Sequence, residues 1–369
     1  MPLVDGILVC DVMTGLRQFP TGSVSCVVTS PPYLGLRDYG IEPTDWPAVS
    51  FRPMADLPEV EVPAATCCLG HEDSPLAYVA HLVHVGRELR RVLCKTGTLW
   101  LNLADSYAGS WGAQSRGHEG SERTSTLHGG SLLHARKLKA YAKPLEGAGS
   151  LKRTPGLKRK DLVGAPWRVA LALQADGWWL RSDIVWSKSN PVPESAADRP
   201  VRAHEYLFLL SPSKRYYYDR QAIVEPASER EVRRWLRATR EEPYNVRRTE
   251  AGNGQVAPGR HGCMVSPAAR RELALRGTRN ARTVWEIPTS PCPFDHPAAF
   301  PEALPKRCIL AGCPAGGIVL DPFCGSGTTL AVAKALGRHF LGIDFSEINA
   351  CMAQERVSGV TPTLFGGGE

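Results

Sequence analysis

Two short segments of this 369-residue chain carry residue types that could do chemistry together. The first is Ser30-Pro31-Pro32-Tyr33, which ends a β-branched apolar run from Ser25 to Thr29. Consecutive prolines fix φ at about −65° and donate no hydrogen bond, so the carbonyl oxygens of Ser30 and Pro31 are held in one direction as a rigid acceptor pair. Such acceptors suit an exocyclic base amine, which donates two hydrogen bonds while its lone pair is delocalised into the ring. Drawn toward tetrahedral geometry, the nitrogen can aim that lone pair at a sulfonium methyl group. Tyr33 would supply a face on which a flipped base stacks. Alone, a Pro-Pro pair is more often a braced turn; the second segment changes the balance.

That segment is a strand, Ile318-Val319-Leu320, followed by Asp321-Pro322-Phe323-Cys324-Gly325-Ser326-Gly327-Thr328-Thr329 and then a helix from Leu330 to Leu336. Gly325 and Gly327 let the backbone approach a ligand at the carboxyl end of a strand. The next strand, His339 to Ile343, ends in Asp344, 344 − 321 = 23 residues after Asp321. A carboxylate about 20 positions on is where a ribose hydroxyl pair would bind. A dinucleotide site would want G-x-G-x-x-G and a phosphate-binding loop G-x-x-x-x-G-K-[ST], and neither spacing is present. The missing phosphate fingerprint points to an adenosyl ligand without phosphates, which S-adenosyl-L-methionine is.

The elements that must position these segments follow from periodicity. Ser25 to Thr29 reads as a buried parallel strand. Leu76 to Leu93 has apolar residues at helical spacing, and Lys95-Thr96-Gly97 closes it before a strand from Thr98 to Leu103. Leu162 to Leu173 reads as a helix, Trp178 to Trp186 and Glu205 to Leu210 as strands, and Tyr216 to Tyr218 as the aromatic tail of another strand. Ser110 to Lys160 is rich in Gly, Ser, Lys and Arg, which predicts a mobile loop. Ser228 to Arg282 is a second compositional island, with thirteen arginines, six acidic residues and no lysine.

Composition sets the outer limits. With 43% hydrophobic and 22% charged residues the chain is an ordinary globular one, and it has no apolar run of about 18 residues that could span a bilayer. No secretory signal precedes Asp11, so a cytoplasmic location is expected, with no membrane partner. Eleven scattered cysteines, among them Cys10, Cys26 and Cys94 in apolar stretches, suit reduced core thiols rather than a disulfide framework. The net charge of +7 permits a polyanionic partner without requiring one.

Together the two segments resemble the amino-methyltransferases of restriction-modification and phage systems, in the group whose catalytic segment precedes the cofactor segment. That family's loop is (D/N/S)PP(Y/F) and its cofactor turn DPF-x-G-x-G-T. Ser30 to Tyr33 and Asp321 to Thr328 match both in full. Leu99 to Tyr107 (LWLNLADSY), Asp183 to Lys188 (DIVWSK) and His296 to Pro301 (HPAAFP) are similar to further segments of the family. The resemblance implies an α/β, Rossmann-like methyltransferase fold, with a seven-stranded, mostly parallel sheet and a small target-recognition insertion. It also implies S-adenosyl-L-methionine as cofactor, held by Asp11, Thr29, Phe300, Asp321, Pro322, Phe323, Gly325, Gly327, Thr328, Asp344 and Phe345, with Ser30, Pro31, Pro32 and Tyr33 catalytic. Asp11 would approach the adenine, although an acidic residue at a strand end is common. Serine at position 30 is the form usual in N4-cytosine enzymes, whereas Asp or Asn is usual for N6-adenine, which remains the alternative.

The arginine island lies where this family places its target-recognition region. Arginine's planar fork can pair bidentately with guanine, so Arg233, Arg234, Arg237, Arg247 and Arg248 are candidate contacts and a G/C-containing site is expected. The loop Arg136 to Lys160 holds nine Lys or Arg and one Glu, and its Lys158, Arg159 and Lys160 suit phosphate contacts. Either stretch could equally be a solvated surface. Trp178, Trp179 and Trp186 could stack on bases, but tryptophans in strands are more often core. Cys67, Cys68 and His71, with Cys292 or His296, invite a zinc reading, yet no clean C-x-x-C pair exists and no metal is expected. The expected partners are double-stranded DNA, a cognate restriction endonuclease, and either no second copy or one.

The expected partition runs 1–110 for the catalytic half, 111–160 for the basic loop and 161–227 for the remainder of the catalytic half. It continues with 228–285 for recognition, 286–357 for the cofactor half and 358–369 for a flexible tail. The rival activities are methylation of RNA or of a protein glutamine, and a DNA-binding module that keeps the fold without catalysis. A C5-cytosine mechanism would need a nucleophilic cysteine beside a proline, for which Cys292 and Cys313 are the candidates.

Overall fold

The computed structural model describes residues 4–35, 42–108, 156–191, 193–194, 196–238, 267–289 and 300–361. The chain divides into two compact units, Met1–Tyr218 with Thr283–Glu369, and Asp219–Arg282.

The first unit is organised by strand β1 (Gly6–Val9), helix α1 (Val12–Arg17), β2 (Val24–Thr29), the short hairpin strands β3 (Thr44–Trp46), β4 (Val49–Phe51), β5 (Val60–Val62) and β6 (Ala65–Cys67), α2 (Pro75–Val92) and β7 (Leu93–Leu103). There follow α3 (Ala165–Ala175), β8 (Trp179–Ser187) and β9 (His204–Ser211). Beyond the second unit's β10 (Glu225–Pro226), α4 (Glu229–Ala238), α5 (Pro267–Leu275) and β11 (Thr278–Arg279) lie β12 (Val284–Glu286), α6 (Ala303–Gly312), β13 (Ile318–Asp321), α7 (Thr328–Ala335), β14 (His339–Asp344) and α8 (Glu347–Ser358).

The main sheet has the order β1-β14-β13-β2-β7-β9-β8-β12, and every pairing is parallel except the two made by β9. It is the mostly parallel Rossmann-like sheet expected, with eight strands where seven were expected. The addition is the edge strand β12, whose three residues are too short for any periodicity to announce; its Trp285 is buried. In β2 every residue but Ser25 is buried, as a parallel strand covered on both faces requires.

Chain direction decides where the chemistry gathers. Because β1, β14, β13, β2, β7 and β8 run the same way, Asp11, Asp344, Asp321, Ser30, Asn102 and Lys188 all fall at one edge of the sheet. The reversed strand β9 brings its first residues, His204 and Glu205, to that edge too.

Helix α2 forms over nearly the expected span. Ser74 Oγ caps it by accepting from Ala77 N at 3.1 Å, and Pro75 fills a first-turn position that needs no N–H. Helix α3 starts at Ala165 rather than Leu162, because Gly164 takes a left-handed φ of 73° and Pro166 opens the first turn. Leu162 instead bridges Tyr107 in extended conformation. Tyr216 to Tyr218 form no strand; Tyr217 N donates to Thr96 O at 2.8 Å and the rings of Tyr216 and Tyr218 meet edge to face. Trp178 and Trp186 are core, as expected, whereas Trp179 is 43% exposed. None of the nine described cysteines is in a disulfide.

In the second unit, β10 and β11 pair antiparallel. Glu225 accepts from Arg279 and Arg282, and Glu231 from Arg279 at 2.8 Å. Among the described residues no helix is long and apolar enough to cross a membrane.

Candidate active site

The loop Ser30-Pro31-Pro32-Tyr33 leaves β2 and is braced from behind. Pro32 O accepts from Tyr78 Oη of α2 at 2.8 Å, and Gly35 N donates to Gly70 O at 2.7 Å. Gly70 N in turn donates to Glu72 Oε2 at 2.8 Å, and Glu72 Oε1 lies 2.9 Å from His81 Nδ1, both side chains being wholly buried. Trp46 stacks on the His81 ring at 4.4 Å. The loop therefore rests on a packed polar pair rather than on solvent, which fixes its backbone before any substrate arrives.

On its other side the loop enters a hydrogen-bond network. Ser30 Oγ donates to Tyr33 Oη at 2.9 Å, and Tyr33 Oη donates to Glu205 Oε2 at 2.7 Å. Asn102 Nδ2 donates to Tyr33 Oη at 2.7 Å and to Glu205 Oε2 at 2.8 Å, while Lys188 Nζ pairs with Glu205 Oε1 at 2.5 Å. Glu205 and Asn102 are buried, Ser30 and Tyr33 half-buried. No acidic group at this loop is legible in the sequence; Glu205 lies at the start of an apolar strand and nothing in its local pattern marks it.

The cofactor-type turn lies at the end of the neighbouring β13. Asp321 is buried and accepts three bonds, from Thr29 Oγ1 at 2.7 Å, Thr329 Oγ1 at 2.7 Å and Phe323 N at 3.1 Å. Thr29 precedes Ser30, so one hydrogen bond ties the two motifs. Gly327 caps α7 with a φ of 77°, and Gly325 N donates to Asp344 Oδ2 at 2.9 Å. Asp344 Oδ1 accepts from Ser346 N at 2.9 Å and Asn349 Nδ2 at 3.0 Å. Pro322 is buried, Phe323 and Phe300 are half-buried, and Phe345 is exposed. Thr328 Oγ1 accepts from Arg356 of α8. Asp11, at the end of β1, uses Oδ1 to cap α1, accepting from Met13 N at 3.0 Å and Thr14 N at 2.9 Å.

Burial raises the Asp321 carboxyl to about 6 from its ordinary 3.8; the Thr329, Thr29 and Phe323 hydrogen bonds pull it back and the Asp344 charge adds to the rise. A raised pKa means folding favours the protonated form. Its stabilising contribution is complete below about pH 4 and is lost as pH climbs through 6. Asp321→Asn should remove that loss, raising stability at pH 8 by up to about 3 kcal/mol at roughly 1.4 kcal/mol per pKa unit. Thermal midpoints at pH 5 and pH 8, without ligand, check it; a variant that parallels wild type across that interval contradicts the assignment.

Neither Cys313 nor Cys324 is suited to nucleophilic attack. Burial pushes the Cys324 thiol well above its ordinary value and Cys313 up to about 12, so neither is a thiolate near neutral pH. Cys292 and His296 lie outside the described residues, as do Arg247, Arg248 and the side chain of Arg237. Of the remaining basic candidates, Arg233 pairs with Glu229, Lys158 with Asp161 and Lys160 with Asp198; Arg159 and Arg234 are exposed. Cys67, Cys68 and His71 are not brought together as a ligand set; instead Cys67, Glu72 and His81 offer donor atoms within 4.8 Å of one another.

A rigid acceptor loop, tied by one hydrogen bond to a glycine-rich turn between two strand-end carboxylates, is an arrangement for amine methylation. The sequence pattern of a family described as DNA methylase matches residues 24–355, nearly the whole chain. The chain belongs to that family. It is a DNA methyltransferase, and its likeness to curated relatives runs end to end. The methylase is 37% identical over 352 residues to the Type II methyltransferase M.SmaI of Serratia marcescens, covering 95% of this chain and 90% of that protein. It is 35% identical over 350 residues to the Type II methyltransferase M.Cfr9I of Citrobacter freundii, covering 95% and 86%. Among solved structures it is similar to the PvuII DNA methyltransferase (cytosine-N4-specific), with a TM-score of 0.53 at 14% identity, covering 95% of this chain and 85% of that one. That likeness shows the fold of the methylase.

Proposed function

We propose that this methylase transfers the methyl group of S-adenosyl-L-methionine directly to the exocyclic N4 of a flipped cytosine in duplex DNA. The observation that carries the reading is the position of Ser30-Pro31-Pro32-Tyr33, locked by Tyr78 from one side and Glu205 from the other, one residue from the Thr29–Asp321 bond. Serine at position 30 is the form the resemblance associates with N4-cytosine enzymes.

The residues present fit the cofactor. Gly325, at a φ of 51°, and Gly327, which packs the turn against α8, shape the backbone that would hold it; Asp344 suits the ribose hydroxyls, the exposed Phe345 ring suits the adenine, and Phe300 and Phe323 would add apolar contacts. When bound, the cofactor supplies an electrophilic sulfonium methyl group. The loop's carbonyl oxygens accept the amine hydrogens and turn its lone pair out of the ring plane, and Tyr33 stacks on the base. The methylated nitrogen then loses a proton to water, so no covalent intermediate with the protein is needed.

Arg233, Arg234, Arg237, Arg247 and Arg248 would read the DNA site, and Lys158, Arg159 and Lys160 would hold its phosphates. The lysines and Arg233 would exchange their carboxylate partners for phosphate oxygens on binding. We place the methylase in the cytoplasm, as a monomer or homodimer, with a cognate restriction endonuclease as partner.

Tritium transfer from labelled cofactor into duplexes amplified with either N4-methyl-dCTP or N6-methyl-dATP tests the base. Label should enter the second duplex and not the first; the reverse would assign adenine N6.

A further inference from the structure

We propose that Glu205 is a positioning residue that fixes the direction of the hydroxyl protons in the catalytic loop, so that Ser30 Oγ meets the target amine as an acceptor only. This rests on the amine-transfer reading above and does not depend on which base carries the amine.

The protons available to each group fix the direction of every bond in the network. A carboxylate has none, so both groups facing Glu205 Oε2 must donate: Tyr33 Oη at 2.7 Å and Asn102 Nδ2 at 2.8 Å. The other oxygen, Oε1, faces the Lys188 ammonium at 2.5 Å, which can only donate. Tyr33 Oη thus commits its single proton to Glu205, and its two lone pairs receive Ser30 Oγ at 2.9 Å and Asn102 Nδ2 at 2.7 Å. Ser30's one hydroxyl proton is then committed to Tyr33, leaving only lone pairs on Oγ for whatever enters the loop. Asn102 cannot turn its amide round, because its oxygen would then face the carboxylate. An exocyclic amine is a donor of two protons, and a hydroxyl free to point its own proton at that nitrogen would compete for the lone pair that must attack the methyl group. The network removes that competition before the base arrives.

Glu205→Gln keeps size and shape but ends the constraint, since an amide can donate as well as accept and lets Asn102, Tyr33 and Ser30 reorient. Total methyl label entering duplex DNA in a single turnover should fall roughly 10- to 100-fold, less than the roughly 100- to 1000-fold typical of losing a group that touches the reacting centre, because Glu205 acts only through Tyr33 and Ser30. Dissociation constants for DNA and for S-adenosylmethionine should stay within about two-fold, and the thermal midpoint close to wild type. Tyr33→Phe, which keeps the ring and breaks the chain at its middle link, serves as the second variant and should lose the rate in the same way even if Glu205→Gln fails to fold. The double variant should be no slower than the slower single one, because both act through the same proton order. A Glu205→Gln rate within three-fold of wild type, or single effects that multiply in the double variant, would overturn the proposal. Loss of cofactor binding in wild type would instead strike at the amine-transfer reading itself.

Discussion

Ser30→Ala should lower the rate of methyl transfer by roughly two to three orders of magnitude, the usual penalty for removing one preorganised hydrogen-bonding group from a reacting centre. The substitution deletes the hydroxyl at the head of the loop, and it leaves Tyr33 Oη without one of its two donors. Cofactor affinity should change little. The turn that would hold the cofactor is built from Asp321, Gly325, Gly327 and Asp344, and its tie to the loop runs through Thr29, whose bond to Asp321 does not involve Ser30. Tyr33→Ala should behave alike, since it removes both the stacking face and the hydroxyl. Calorimetric titration of the cofactor beside single-turnover kinetics separates the two quantities. Equal loss of binding and rate would mean the loop supports the fold rather than the reaction.

Gly327→Ala should be the most damaging single methyl group in the cofactor turn. Gly327 has a φ of 77°, and a Cβ built there lies 2.7 Å from Ala353 Cβ and 2.8 Å from its Cα, in helix α8. The left-handed conformation costs about 1–2 kcal/mol for a residue with a side chain, and forcing α8 away adds about 1–3 kcal/mol. The sum, roughly 2–5 kcal/mol, corresponds to a fall in unfolding temperature of about 3–7 °C for a chain of this length. Gly337→Ala is the internal control. Its φ is 69° but no atom lies within 4 Å of the added Cβ, so only the conformational part should be felt. Thermal unfolding of both variants decides; equal effects would show that the contact with α8 yields without strain.

The Ser30–Tyr33 loop and the Asp321–Thr328 turn were legible as segments at strand ends, because each is a contiguous run in a fixed order. Strand β2, helix α2 and the unit from β13 to β14 were legible for a similar reason: their burial repeats along the chain. Glu205 was not. Its partners stand at positions 33, 102 and 188, with Ser30 one hydrogen bond further on, and only the reversal of β9 against β7 brings its carboxylate to the loop. The Glu72–His81 brace was hidden likewise, since an acid before a helix and a histidine inside one look like ordinary surface and core. Asp11 shows a different limit: nothing in its local pattern announces that one of its oxygens caps α1. The eighth strand was missed because three residues carry no period, and the early start assigned to α3 because an apolar run does not reveal that Gly164 turns left-handed before it.

Mass spectrometry of nucleosides tests the central claim most directly, using unmethylated duplex DNA incubated with the purified protein and S-adenosyl-L-methionine and then digested to completion. The account predicts N4-methylcytosine, absent when the cofactor is withheld. N6-methyladenine in its place would keep the chemistry of the loop and contradict the assignment of Ser30, whereas 5-methylcytosine would contradict direct transfer to an amine altogether.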